Sequence, residues 1–380
     1  MKRANLNFFP HETPQVQPGA TGTCRCRAPI PHAALSDRAG AEDRGVSAIS
    51  GSIGLLRDLG YLRCEQIHPV VLWADLITLA ECNLPAARLY EGHVNALRLV
   101  HTLADATLQN DVRQDVEAGS LLGVWGAEAS VGLSVDGQKL SGGKRFASGL
   151  GTVAKAVVTV EQAGGVRLAL LDVSDTSRHR PETWKKTGMR ATMSGDFDAT
   201  GMPSAALRWI GTEGQYLQEP GFIGGVWRIA AVQIGGTLGL IRAAADHLGG
   251  IGRLSAESQV ARLGPMLTRA LAAAEFVRLA AECAEGPAGL REPERAASLS
   301  AQARLLTEEI GQDAIAAVER SVGLHHFDED APTGRIARDL ATYLRQAARD
   351  QLLQRSGSWA LGKPGPYSRL LRGDDLDARS

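Results

Sequence analysis

Lys155-Ala-Val-Val-Thr-Val160, then Glu161-Gln-Ala-Gly-Gly165, then Val166-Arg-Leu-Ala-Leu-Leu-Asp-Val173 reads as a β-hairpin. Two runs rich in Val and Leu favour extended backbone, and the glycine pair between them supplies a turn. A second hairpin precedes it. Leu133-Ser-Val-Asp-Gly-Gln-Lys-Leu140 sets Asp136-Gly137 between two short apolar runs, a strong local turn signal. Both lie inside residues 119–220, the only long region that reads as β structure, and on either side the periodicity becomes helical. The expected fold class is therefore α+β, with an N-terminal helical domain (50–118), a central β-barrel-like domain (119–220) and a C-terminal four-helix bundle (221–360). Residues 1–49 are expected to be a disordered extension and 361–380 a tail.

The helical readings rest on apolar spacing. Ile53, Leu55, Leu56 and Leu59 crowd one face, and Gly60 supplies a stop. A second helix is predicted over 70–80 and a third over 85–109, followed by a short charged piece at 111–118. Beyond the β region, helices are predicted over 222–249, 258–283, 298–322 and 334–353, a set that suggests a bundle. Gly235, Gly236 and Gly239 fall inside the first of these, where they cost helix propensity. Close approach of a neighbouring backbone is the simplest reason for them. Residues 1 to about 45 are rich in Pro, Ala, Gly and Arg and lack a sustained apolar period.

At 380 residues the chain is long enough for roughly two or three domains. Its 41 basic and 42 acidic side chains balance, which leaves no footprint for nucleic acid or an anionic membrane. Five scattered cysteines (24, 26, 64, 82 and 283) point away from a disulfide framework or a metal site, and towards a reducing cytoplasm. Cys24-Arg-Cys26 lacks further ligands. The most apolar stretch, 221–248, is broken by Arg228, Gln233, Arg242 and Asp246, so no signal peptide, membrane span or membrane partner is expected.

The order helical domain, β domain, helical bundle resembles the acyl-CoA dehydrogenase superfamily, and four stretches carry the likeness. Gly119-Ser-Leu-Leu-Gly-Val-Trp-Gly-Ala-Glu128 and Leu140-Ser-Gly-Gly-Lys-Arg-Phe-Ala-Ser-Gly149 look like the segments that pass either side of the flavin there. Thr187-Gly-Met-Arg-Ala-Thr192 resembles the family's Gly-x-Arg stretch. Pro332-Thr-Gly-Arg-Ile-Ala-Arg-Asp339 resembles its C-terminal helix opening. The likeness spans about residues 50–360. It implies FAD, self-association to a dimer or tetramer, an acyl-type small-molecule substrate and either an acceptor flavoprotein or oxygen. The cofactor-binding positions it implies are Trp125, Gly126, Ala127, Phe146, Ala147, Ser148, Arg253, Arg320 and Gly323. Glycines and hydroxyls suit a planar ring that backbone must approach closely. Trp125 would stack on the ring or fill the β-domain core, and Ser148 would bond the ring edge or its own turn.

Several positions depart from the family pattern. The dehydrogenases need a carboxylate to remove an α-proton as hydride leaves. The position nine residues after Arg338 is Ala347, and the alternative slot before the bundle arginine holds Trp227 ahead of Arg228. The Thr-Glu-Pro stretch is Ala127-Glu128-Ala129, the loop that helps hold acyl-CoA is almost absent, and Gln-x-x-Gly-Gly becomes Arg320-Ser-Val-Gly323-Leu324. Arg253 and Arg320 remain to pair with a pyrophosphate. Phe146-Ala-Ser-Gly149 is closer to the flavin monooxygenase branch, whose C-terminal histidine corresponds to the neighbourhood of Gln346.

No catalytic residue is assigned; the candidates are Glu91, His93 and His326. Glu91, His93 and Asn95 lie together on an otherwise apolar helix, lining a polar substrate site or a satisfied internal network. His325-His326 precedes the last helix, as proton carriers or as an exposed capping pair. Asp339 is expected to cap or pair with an arginine. The leading reading is an FAD-dependent oxidoreductase acting on the CH–CH group of an acyl-type substrate that need not be a standard acyl-CoA. The alternatives are a flavin-dependent monooxygenase of the same fold or a catalytically inactive scaffold.

Overall fold

A computed structural model describes residues 27–63 and 67–372. Cys24, Cys26 and Cys64, the extension before residue 27 and the tail beyond 372 lie outside the described residues. The extension expected over 1–49 requires correction where it is described, because α1 (His32–Asp43) forms there. Leu35 and Ala39 are buried on its inner face. Glu42 accepts the Ser52 hydroxyl at 2.6 Å and the Asn83 amide at 2.8 Å. These partners come from distant segments, so a stretch with little apolar periodicity is held by tertiary contacts.

Next come α2 (Ser50–Asp58), α3 (Pro69–Cys82), α4 (Leu84–Leu103) and α5 (Ala106–Glu117). Proline in the first turn and side-chain caps set two starts: Asn83 accepts from the Ala86 N–H at 3.2 Å for α4. The predicted 85–109 helix ends early, because the Asp105 carboxylate accepts the Leu108 N–H at 2.8 Å and opens a new helix.

The β region contains β1 (Leu121–Trp125), β2 (Ser134–Asp136), β3 (Lys139–Ser141), β4 (Gly143–Ala147), β5 (Val153–Gln162) and β6 (Gly165–Asp172). It continues with β7 (His179–Arg180), β8 (Gly195–Asp198) and β9 (Arg208–Ile210). The Asp-Gly hairpin forms as read, with Asp136 opposite Lys139 and Gly137 at φ +59°. In the second hairpin Gln162 pairs with Gly165, so the turn residues are Ala163 and Gly164, one position earlier than the glycine pair.

The larger sheet runs β3-β2-β5-β6-β9, with β1 parallel to β5; the smaller is β4-β8-β7. The barrel-like expectation needs refinement, since neither sheet closes on itself. Period-2 alternation instead gives the larger sheet two buried faces. Val157, Leu168 and Leu170 pack on α4 and α5 residues such as Leu97, Val100 and Val112. Their neighbours Val158, Ala169 and Leu171 belong to the main core.

The C-terminal part comprises α6 (Trp227–Gly250), α7 (Glu257–Glu285), α8 (Pro287–Arg291) and α9 (Pro293–Val322), then α10 (Pro332–Tyr343), α11 (Arg349–Leu361) and α12 (Arg369–Arg372). Its three long helices are α6, α7 and α9. The helix expected over 334–353 is two helices. Arg304 on α9 donates to the Ala347 carbonyl at 3.2 Å, and Glu308 meets Arg345 and Arg349 at 3.5 and 3.2 Å, while Ala348 turns left-handed. The break is therefore anchored by α9 side chains. On α6, a Cβ at Gly235 would lie 2.4 Å from the Ile77 carbonyl oxygen and one at Gly239 2.5 Å from that of Glu81. These glycines let α3 and α6 meet backbone to backbone. Among the described residues no helix is long and apolar enough to cross a membrane.

Candidate functional site

A cleft of about 820 Å³ opens between the β region and the helices. From the β side come Phe146 near the end of β4, Ser148 just after it and the segment from Trp184 to Ser194. From the helical side come α9, the turn carrying His326 and Phe327, α10 and Arg88 of α4. The Gly-x-Arg stretch is bound tightly to α10. A Cβ at Gly188 would fall 2.0 Å from the Arg338 carbonyl oxygen, and the left-handed Met189 donates its N–H to the Asp339 carboxylate. Asp339 thus caps a loop, and its second oxygen is buried without a hydrogen bond among the described residues, 3.9 Å from Arg335. Burial pushes its carboxyl up to about 6 against the pull of Arg335.

Phe146 adopts φ +55°, unusual for an aromatic residue, and this turns its half-exposed ring into the cleft edge-on to Trp184, with centroids 6.0 Å apart. The Trp184 indole donates to the Gly188 carbonyl at 3.2 Å, which fixes that ring. Behind them run three hydroxyls. Thr192 lies 2.7 Å from Ser194, and Ser194 donates to the Ser148 hydroxyl at 3.2 Å, leaving the Ser148 proton for an acceptor in the cleft.

His326 also lines the cleft, and its Nδ1 is buried without a partner among the described residues. Burial lowers its basicity, so the neutral ring is favoured. His325 points away, exposed and 3.0 Å from Asp328.

The other predicted site residues sit elsewhere. Trp125 is buried behind the wall, tilted against Phe197, and donates to the Ser148 carbonyl at 3.0 Å. It packs the core, the second of its two readings, and supports the Ser148 turn. Ala147 is buried, while Gly126 and Ala127 lie on an exposed turn outside the cleft lining. Arg253, Arg320 and Gly323 are exposed and also outside that lining.

Glu91 and His93 form the polar network that the sequence allowed. Glu91 accepts from Arg88 at 2.6 Å. The His93 Nδ1 accepts the Leu122 N–H at 3.0 Å and its Nε2 lies 2.9 Å from the Leu62 carbonyl. An amide can only donate and a carbonyl only accept, so Nε2 carries the proton and neither nitrogen is left for chemistry. Asn95 accepts from Arg228 at 3.0 Å.

Both expected base positions are accounted for. Ala347 is exposed in the break after α10. Trp227 is fully buried and donates to Glu285 at 3.0 Å, and this α7 carboxylate also binds Arg228 and Arg98. Glu128 likewise holds the buried Lys144 and accepts from Thr159 at 2.7 Å. These carboxylates are structural, and none lines the cleft among the described residues. Arg88, Trp184, Lys186, Ser194, Phe327 and Tyr343 also belong to the lining and were not singled out in the sequence. They arrive from unrelated segments, whereas Phe146, Ser148, Met189, Thr192 and Arg338 lie within stretches whose pattern flagged them.

No family model matches the chain, and a comparison with curated protein sequences finds no match. Solved structures are similar. FMN-bound TdsC from Paenibacillus sp. A11-2 shares 16% identity, with 88% of this chain and 96% of that chain covered and a TM-score of 0.74. Butyryl-CoA dehydrogenase from Megasphaera elsdenii shares 16% identity over 86% and 94%, with a TM-score of 0.71. The HsaA monooxygenase from M. tuberculosis shares 17% over 88% and 96%, with a TM-score of 0.68. At these identities the likeness concerns architecture, and the chain has the acyl-CoA dehydrogenase fold.

Proposed function

We propose that the protein is a flavin-dependent oxidoreductase acting on a small molecule, with FAD the cofactor implied by its sequence resemblance. The observation that carries this reading is the cleft itself. Its volume is in the range of cofactor pockets, and it joins an aromatic pair to polar groups that lack partners. The residues fit a flat heteroaromatic ring with hydrogen-bonding edges. Phe146 and Trp184 would bound it, the Ser148 hydroxyl would donate to one edge, and the orphaned Nδ1 of His326 would gain a partner. A bound flavin would supply hydride or oxygen chemistry; the protein supplies position, exclusion of water and polarity. FMN in TdsC makes that nucleotide the natural competitor of FAD. Self-association is supported by the exposed apolar side chains Val260, Leu267 and Leu271, which follow helical spacing on α7.

Oxidation of an acyl-type CH–CH group is the first reading of the substrate. It requires a base in the cleft, and no carboxylate lines it among the described residues. That same observation favours a second reading, flavin monooxygenation, in which the step demanded of Glu in the dehydrogenases is not needed. Titration of the purified protein with FAD and with FMN, followed by protein fluorescence and visible absorption, tests the common part. Saturable binding of one of them supports it, and absence of binding of both overturns it. Anaerobic bleaching by a panel of acyl-CoA thioesters would favour dehydrogenation. Rapid oxygen-dependent reoxidation of the chemically reduced complex, without such bleaching, would favour the monooxygenase.

A further inference from the structure

We propose that Arg88 and Tyr343 form an anion subsite in the cleft, and that the substrate is a small organic acid held there by its carboxylate or a like-sized oxyanion. The inference rests on the flavin reading, which gives the β wall to the ring and leaves the α4 side to the substrate.

Four observations support it. The charged side chains that line the cleft are Arg88, Lys186, Arg338 and Arg345, all basic, with no acidic residue in the lining among the described residues. The carboxylates that hold the arginines stand behind them: Glu91 meets Arg88 at 2.6 Å and Asp43 meets Arg338 at 3.2 Å. The donors' residues thus line the cleft and the acceptors' do not. Second, Glu91 takes one N–H of Arg88, and the remaining donors of that planar fork have no hydrogen-bond acceptor among the described residues. Third, Tyr343 lines the cleft though only 5% exposed, and its hydroxyl is buried without a hydrogen-bond partner among the described residues. Buried polar groups normally find partners, and an orphaned one on a residue that lines a cleft points to a ligand. Fourth, burial and then the nearby Glu91 push the Tyr343 phenol well up, so it stays a neutral O–H donor.

A guanidinium fork and a phenolic donor that line one cleft and feel each other's charge offer N–H and O–H groups to two oxygens of one anion. A neutral amide of the same shape would present its own N–H groups to donors and be rejected. Flavin phosphate shares the anionic chemistry, so the test must separate the two sources.

Calorimetry on the flavin-loaded protein, with benzoate, acetate and neutral benzamide as probes, provides the test. Benzoate is expected to bind at least about tenfold more tightly than benzamide. Arg88→Met and Tyr343→Phe are expected to weaken benzoate by about tenfold and about threefold or more, with FMN affinity in separate titrations within about twofold of wild type. Failure of both anions to bind the loaded protein, or equal binding of benzoate and benzamide, overturns the subsite. A parallel loss of FMN but not riboflavin affinity in Arg88→Met assigns the fork to flavin phosphate and also overturns it. Should Arg88→Met not fold, Tyr343→Phe, which removes one oxygen, decides the matter alone. Flavin binding is measured independently, so failure of the subsite is distinguishable from failure of the flavin reading.

Discussion

His93 on α4 bridges the Leu62 carbonyl and the Leu122 N–H, and so ties the helical domain to the first β-strand from within. The ring is fully buried, and burial lowers its pKa to about 4 despite the help of the Leu62 carbonyl. In the unfolded chain the same ring titrates near 6.5. Its folded pKa is the lower one, so the unfolded state binds more protons between these values. The stabilisation is full above about pH 6.5 and is lost as pH falls towards 4, by about 3 kcal/mol in all. His93→Ala is expected to cost about 2–3 kcal/mol at pH 7, by orphaning a carbonyl and an amide. Urea unfolding at pH 7 and pH 4.5 checks this: the gap between wild type and variant should narrow at the lower pH. An unchanged gap would refute the assignment of a neutral ring.

Asp339 works in the opposite sense. Its folded pKa of about 6 stands above the ordinary carboxylate value, so its contribution is full below about pH 4 and is lost as pH rises through 6. Asn keeps an oxygen for the Met189 N–H and carries no charge. Asp339→Asn is therefore expected to stabilise the protein at pH 8 by about 1–3 kcal/mol and to have little effect at pH 4. Thermal unfolding at the two pH values is the measurement, and destabilisation at pH 8 would show that Arg335 outweighs burial.

Gly235 and Gly249 lie on the same helix and make opposite predictions. Alanine has the better helix propensity by about 1 kcal/mol. At Gly249 nothing lies within 4 Å of the added methyl, so Gly249→Ala should stabilise by about 0.5–1 kcal/mol. At Gly235 the methyl would press on the Ile77 backbone, which cannot rotate aside. Gly235→Ala is expected to destabilise by about 1–3 kcal/mol as α3 and α6 are forced apart. Equal effects at the two sites, measured by urea midpoint, would refute backbone contact as the reason for the glycine.

Such contrasts separate what local sequence encodes from what it does not. The Asp136-Gly137 turn, the Val- and Leu-rich strands and the long helices were legible because each is written in neighbouring residues. The glycines of α6 announced a close approach without naming α3. By contrast α1 was missed, because Glu42 and Asp43 find Ser52, Asn83 and Arg190 only in three dimensions. The break after Tyr343 was missed because Arg304 and Glu308 on another helix create it. The cleft suffered most: Arg88 and Tyr343 stand far apart in the chain, and neither carries a motif.

That break bears directly on the absent base. In a continuous helix, the position nine residues beyond Arg338 would share a face with neighbours that line the cleft. Here α10 stops at Tyr343, and Ala347 is exposed in the connection with its carbonyl held by Arg304 at 3.2 Å. Arg345 and Gln346 line the cleft, whereas Ala347 does not. A carboxylate placed at 347 would sit in solvent beside Arg304 and Arg349, where ordinary hydration keeps its pKa low and its basicity weak. Ala347→Glu is thus expected to fold with a stability within about 0.5 kcal/mol of wild type, and to show no acyl-CoA-dependent bleaching of bound flavin. Anaerobic titration with short and long acyl-CoA thioesters checks it. Turnover in this variant would mean that the connection can refold into a longer α10, and with it a face on which the family's usual base could act.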